Sequence, residues 1–132
     1  MESRSVLIVE DDEDDFFLTQ RAVRKVFAGP IVHLESGRAA IEYLVQRGTG
    51  TAPAGSDLVF LDLKMDDGGG LEVLDWVRMH AGPHVPRIFV LTGSNEPRDR
   101  ERVRLSGVAA GYIVKPLGPE HLAEIFRAAP VG

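Results

Sequence analysis

The chain has no cysteine among its 132 residues, which excludes disulfides, thiolate metal sites and cysteine nucleophiles. It also lacks a basic excess, because its net charge is −5. Without a positive field it has nothing to offset the phosphate charge of nucleic acids or anionic membranes. No apolar run reaches the length of a membrane span, and the N-terminus has no long apolar segment. We therefore expect a cytoplasmic protein that binds neither nucleic acid nor membrane.

The sequence contains short aliphatic runs that alternate with amphipathic stretches. Most runs are apolar at every position, which is typical of strands covered on both faces. Regular alternation of strand and helix predicts an α/β fold with a five-stranded parallel sheet, and we expect one domain over residues 1–132. The predicted strands are 6–9, 31–34, 58–61, 88–91 and 112–114. The predicted inward-facing residues of the first two helices are Phe16, Val23, Val26, Phe27, Ala40, Ile41, Leu44 and Val45.

Polar residues follow the predicted strands where each strand ends. Glu10 and Asp11 follow the first strand, Asp62 the third, Thr92 the fourth and Lys115 the fifth. Right-handed crossovers place the carboxyl ends of parallel strands on one rim of the sheet. The sequence therefore predicts that three carboxylates, a hydroxyl and an ammonium converge there.

Such a cluster of like charges needs a cation, because two carboxylates about 4 Å apart repel each other by roughly 4 kcal/mol at an effective dielectric of 20. Hard oxygen ligands favour Mg²⁺, held by Glu10 and Asp11. The arrangement suits phosphoryl chemistry, with Asp62 as the nucleophile that forms an acyl phosphate. Lys115 would pair with the phosphoryl group as a point charge, and Thr92 would donate a hydrogen bond to it.

Each of these residues has a simpler interpretation. The acids at 12–15 open a helix, where negative charge is favourable, and we accept that interpretation for them. Asp62 alone would more often be a turn or cap residue, and Thr92 is at home in a strand. The four histidines, at positions 33, 80, 84 and 121, have no ligand spacing and are interpreted as surface or loop residues.

The segments "LIVEDDEDD", "LVFLDLKM", "FVLTGS" and "YIVKPL" stand in an order that resembles the receiver domains of two-component response regulators. The resemblance covers essentially the whole chain. It implies a doubly wound, flavodoxin-like sheet of order 2-1-3-4-5 with helices on both faces. It also implies that Asp62 takes a phosphoryl group from a phosphohistidine on a sensor histidine kinase.

The resemblance assigns the remaining site residues. Asp11 would bind Mg²⁺ directly, with Mn²⁺ or Ca²⁺ as substitutes, and Glu10 would bind through water or weakly. Lys64 would offer only its backbone carbonyl to the metal, while Lys115 and Thr92 would contact the phosphoryl group. Tyr112 matches the switch aromatic that turns inward when Thr92 moves. Such a protein is no enzyme beyond assisting its own phosphorylation and dephosphorylation.

Several features are similar to single-domain regulators paired with bacterial phytochrome-type kinases, including "SGRAAIEYL" and "LTGSNEPRDRERVRLSGVAAGYIVKPL". Those relatives often form homodimers through the fourth helix, fifth strand and fifth helix. Because the sequence ends at Gly132, just past the fifth helix, we expect no output domain and a signal transmitted by protein–protein contact or dimerisation.

The sequence departs from the family at residues 66–70, where Asp-Asp-Gly-Gly-Gly replaces the usual proline. We expect a more mobile loop there, because glycine is permissive. This departure leaves one alternative open, a pseudo-receiver scaffold that is not phosphorylated. A phosphatase of the haloacid-dehalogenase type is disfavoured because the position of its second acid is Lys64. A flavin module is disfavoured because the first loop is acidic and would repel phosphate.

Overall fold

The computed structural model describes residues 5–48, 57–65, 69–80, 86–93 and 95–128. Strands and helices alternate along the chain, and every predicted strand is present, some of them longer than predicted. The elements are β1 (Ser5–Val9), α1 (Glu13–Arg24), β2 (Ile31–Leu34), α2 (Gly37–Gly48), β3 (Asp57–Leu61), α3 (Gly69–His80), β4 (Arg87–Thr92), α4 (Pro97–Ser106), β5 (Ala109–Val114) and α5 (Pro119–Ala128).

The five strands form one parallel sheet in the order β2-β1-β3-β4-β5. This confirms the predicted doubly wound arrangement. The order reverses at β1, because the chain runs outward to β2 and then returns to β3 on the other side. At such a reversal a crevice opens outside the carboxyl ends of the strands, and ligands of this fold class bind there.

The sheet separates two apolar layers. Alternate residues of β1 point to opposite faces, so Leu7 and Val9 pack in one layer while Val6 and Ile8 pack in the other. The first layer is covered by α2, α3 and α4, and the second by α1 and α5. Burial on both faces explains why the strands are apolar throughout rather than at alternate positions.

Two helix-face predictions were wrong. Val26 lies beyond the end of α1 and is exposed, and Val45 lies on the outer face of α2. The helix α4 is largely polar, and only Asp99, Val103 and Ser106 are buried in it. A bulge occurs within β5, where Ala110 is inserted between the pairs Ile88–Ala109 and Phe89–Gly111. Within the described residues, no helix combines the length and apolar character needed to cross a membrane.

The sequence predicted that the glycines of residues 66–70 lie in a mobile loop, but two of them lie within α3. Asp66, Asp67 and Gly68 lie outside the described residues, but Gly69 and Gly70 are buried in the first turn of α3. A Cβ atom on Gly70 would lie 2.6 Å from the backbone oxygen of Asp62, and one on Gly37 would lie 2.5 Å from the Cα of Gly69. Real Cβ atoms do not approach backbone this closely. Gly69 and Gly70 therefore belong to α3 rather than to the loop, and the absence of a side chain at Gly70 permits tight packing against the backbone.

Candidate functional site

The predicted polar residues meet at one edge of the sheet because backbone hydrogen bonds extend the strand ladders past the strand ends. The amide of Glu10 donates to Leu34 O at 2.9 Å, and the amide of Asp62 donates to Val9 O at 3.0 Å. Between the ends of β4 and β5, the amide of Lys115 donates to Thr92 O at 2.7 Å. The backbones of Glu10, Asp62 and Lys115 are therefore held by the sheet itself.

Three carboxylates form a cluster at this edge. One oxygen each from Glu10, Asp11 and Asp62 lies within 4.8 Å of the other two. Glu10 and Asp62 are buried, while Asp11 is partly exposed and forms the outer wall. An Oε2 atom of Glu10 also accepts a hydrogen bond from the amide of Asp12 at 3.2 Å, which orients the Glu10 side chain. This oxygen set matches what Mg²⁺ or Mn²⁺ prefers in proteins.

Asp62 is buried, since only 7% of the residue is exposed. Burial, followed by the negative charge of Glu10, raises its pKa from 3.8 to about 7, although the charge of Lys115 acts in the opposite direction. Its Oδ1 atom accepts a hydrogen bond from the amide of Lys64 at 3.3 Å. The carboxylate is thus held in place but is costly to ionise.

Lys115 lies among three acidic side chains, which come from the end of β1, the start of α1 and the end of β3. Its Nζ atom is 2.9 Å from Glu10 Oε1, 2.7 Å from Asp15 Oδ2 and 3.8 Å from Asp62 Oδ2. Partial burial lowers the pKa of the ammonium, but the hydrogen bonds to Asp15 and Glu10 and the negative charges of Asp62 and Glu10 together outweigh burial, so the pKa of Lys115 is raised. The interpretation of Asp15 as merely a helix-opening acid was therefore incomplete, because Asp15 also pairs with a site residue.

The side chain of Lys64 points away from the carboxylate cluster. Its Nζ atom lies 3.3 Å from Glu96 Oε1 and 3.3 Å from Asp99 Oδ2 at the start of α4. The nearby carboxylates of Asp99 and then Glu96 raise the pKa of this exposed ammonium. Lys64 therefore connects the loop after Asp62 to α4.

Thr92 and Tyr112 lie on the same face of the sheet. Thr92 is the last residue of β4 and is buried. Tyr112 in β5 pairs with Val90, and Val90 and Thr92 point to the same face because they are two residues apart in β4. The guanidinium of Arg100 lies over the Tyr112 ring, 4.6 Å from its centre. Desolvation, followed by the charge of Asp99, raises the pKa of Tyr112. Tyr112 is half-buried.

The prediction that all histidines are surface or loop residues was wrong for His33. This residue lies in β2, where its ring stacks on Phe16 with centroids 3.7 Å apart. Its Nε2 atom donates to the backbone oxygen of Glu10 at 2.8 Å, since a carbonyl can only accept. The position of His33 within the aliphatic run 31–34 could have indicated that it lies in a strand. His84 lies outside the described residues.

Residues 6–127 match the family described as the response regulator receiver domain. A curated relative, the probable methanogenesis regulatory protein FilR2 of Methanothrix harundinacea, is 33% identical over 119 residues, which cover 89% of this chain and 75% of FilR2.

Two solved structures are similar over nearly the whole chain. The bacteriophytochrome response regulator AtBRR is 31% identical with a TM-score of 0.77, and the match covers 98% of this chain and 94% of AtBRR. The Mn²⁺-bound form of the response regulator Rcp1 is 25% identical with a TM-score of 0.70, and the match covers 92% of this chain and 88% of Rcp1.

Proposed function

Because the chain belongs to the response regulator receiver domain family, whose members serve phosphorylation-based signalling, we propose that Asp62 accepts a phosphoryl group from a sensor histidine kinase. One observation carries this proposal. The Asp62 carboxylate lies 3.8 Å from the Lys115 ammonium and within 4.8 Å of oxygens of Glu10 and Asp11. A nucleophile, a cation and a set of metal ligands therefore share one site.

The proposed reaction moves the phosphoryl group from a histidine of the kinase to Asp62. An oxygen of the ionised Asp62 carboxylate attacks the phosphorus of a phosphohistidine, the P–N bond breaks, and the imidazole leaves with its electron pair. The product is an acyl phosphate on Asp62. Water can later attack this phosphorus, which breaks the P–O bond to Asp62, releases inorganic phosphate and restores the carboxylate. In this proposal the chain assists its own phosphorylation and dephosphorylation.

Receiver domains bind a divalent metal, and the donor set of this chain fits Mg²⁺. Glu10, Asp11 and Asp62 supply carboxylate oxygens, and the backbone carbonyl of Lys64 is a further proposed ligand. The raised pKa of Asp62 supports this fit, because a nearby divalent cation favours the ionised carboxylate. When bound, the ion neutralises charge on the phosphoryl oxygens. The Mn²⁺-bound Rcp1 structure supports a divalent cation at such a site.

The remaining residues would translate phosphorylation into a change of shape. An aspartyl phosphate adds negative charge and strong acceptors next to Lys115 and Thr92. Lys115 pairs with it, and Thr92 donates to it by moving inward. That movement leaves space for Tyr112, which lies on the same face of the sheet. Turning of Tyr112 then alters the surface formed by α4, β5 and α5.

For the output, we propose protein–protein contact, including a homodimer through α4, β5 and α5. The likeness to AtBRR supports pairing with a phytochrome-type kinase. The alternative is a pseudo-receiver that binds partners without phosphorylation, and the deep position of Asp62 is the observation that favours it.

Incubation with acetyl phosphate and Mg²⁺, followed by intact-mass measurement, separates the two functions. We expect one phosphoryl group on the native chain and none on Asp62→Asn. Asp75→Asn is the matched control, because Asp75 is an exposed acid on α3 outside the site, and we expect it to gain mass like the native chain. An unchanged native mass would favour the pseudo-receiver.

A further inference from the structure

Asp15 lies closer to the Lys115 ammonium than the proposed phosphoryl acceptor does. Asp15 is the third residue of α1 and its side chain is 38% exposed. Its Oδ2 atom is 2.7 Å from Lys115 Nζ, whereas Asp62 Oδ2 is 3.8 Å away. A distance of 2.7 Å is a charge-assisted hydrogen bond, and 3.8 Å is only an ion pair.

The ammonium of Lys115 has three N–H donors. In this arrangement Asp15 and Glu10 accept two of them at 2.7 and 2.9 Å. Asp15 is not one of the three carboxylates that could share a metal ion. It therefore acts on Lys115 from outside the metal site, across 100 positions of sequence.

We infer that Asp15 is a positioning residue that holds Lys115 away from Asp62 until a phosphoryl group arrives. The inference rests on the proposed function of Asp62. For Lys115 to approach a phosphoryl oxygen, its bond to Asp15 must lengthen or break. Asp15 therefore competes with the phosphoryl group for the same ammonium, which slows phosphorylation and weakens the binding of phosphoryl analogues.

The size of the effect follows from the exposure of the pair. Partly exposed ion pairs contribute about 0.2–1 kcal/mol, so releasing Lys115 should change rates and affinities by about 1.4- to 5-fold. Asp15→Asn keeps the shape of the side chain but removes the charge. We expect it to be phosphorylated faster by acetyl phosphate, and to bind beryllofluoride in the presence of Mg²⁺ more tightly, by factors in this range.

Asp14→Asn is the matched control. Asp14 precedes Asp15 in the first turn of α1, is exposed, and loses the same charge and the same favourable interaction with the helix dipole. Its substitution therefore reproduces every general electrostatic and helix effect of Asp15→Asn except the loss of the pair with Lys115. Asp15→Glu retains the carboxylate and should return the rate toward that of the native chain.

The Lys115 ammonium resonance of ¹⁵N-labelled protein gives a readout that does not depend on phosphorylation. We expect it to shift in Asp15→Asn and to stay in place in Asp14→Asn. Equal rates for Asp14→Asn and Asp15→Asn would overturn the inference, as would slower phosphorylation of Asp15→Asn alone. Failure of the native chain to be phosphorylated would instead remove the proposed function, and the inference with it.

Discussion

Gly70 packs directly against the backbone oxygen of Asp62, the residue that we propose as the phosphoryl acceptor. A Cβ atom at position 70 would lie 2.6 Å from that oxygen. The first turn of α3 thus packs against the backbone that follows β3. The close approach links the stability of the fold to the position of the functional carboxylate, because a displaced α3 would also displace Asp62.

Gly70→Ala should lower the free energy of unfolding by about 1–3 kcal/mol, the usual cost of forcing a side chain into packed surroundings. The atoms in contact are the backbone oxygens of Asp62 and Leu63 and the Cα of Leu63, which cannot rotate away as a flexible side chain could. Urea unfolding measures the change. Gly93→Ala is the control, because a Cβ atom at position 93 meets nothing within 4 Å. Equal losses for the two variants would contradict the packing argument.

Asp62→Asn should stabilise the metal-free protein, because it removes a buried charge next to Glu10. The pKa of Asp62 is about 7 in the folded chain and 3.8 in its ordinary state, so between these values the folded state binds the extra proton. The contribution of Asp62 to stability therefore falls as pH rises from 4 to 7 and is level above that.

Urea unfolding in EDTA tests this expectation at pH 8 and pH 5. We expect Asp62→Asn to exceed the native chain at pH 8 by about 1–3 kcal/mol, within the range typical of changes to buried polar groups. The advantage should shrink at pH 5. An advantage that is constant with pH would show that the charge of Asp62 is not its cause.

Mg²⁺ should bind about ten times more weakly at pH 6 than at pH 8, because a proton on Asp62 with a pKa of about 7 competes with the ion. Isothermal titration calorimetry at the two pH values measures the ratio. In Asp62→Asn the binding should be weak at both pH values and nearly independent of pH. A native affinity that is unchanged between pH 6 and pH 8 would remove Asp62 from the metal site.

The sequence predicted the strand-end residues well because one physical rule covers them all. Runs that are apolar at every position imply a parallel sheet, and parallel strands deliver Glu10, Asp62, Thr92 and Lys115 to the same edge. Applying this rule requires only the pattern of apolar residues along each short segment. It does not require knowledge of which side chain contacts which.

The features that the sequence did not reveal depend on such contacts. The pair between Asp15 and Lys115 joins residues 100 positions apart, and its formation depends on the reach of a long side chain. Gly70 was interpreted through its own flexibility, whereas its role comes from the backbone against which it packs. His33 was set aside for its lack of ligand spacing, although stacking on Phe16 gives it a structural place.

The most direct measurement for the account is the location of the phosphoryl group. After treatment with acetyl phosphate and Mg²⁺, borohydride reduction converts an aspartyl phosphate to homoserine, which peptide mass spectrometry can locate in the sequence. We predict homoserine at position 62 and at no other acidic position. Homoserine at Asp11 or at Asp15, or its absence from the whole chain, would contradict the assignment of Asp62 as the acceptor.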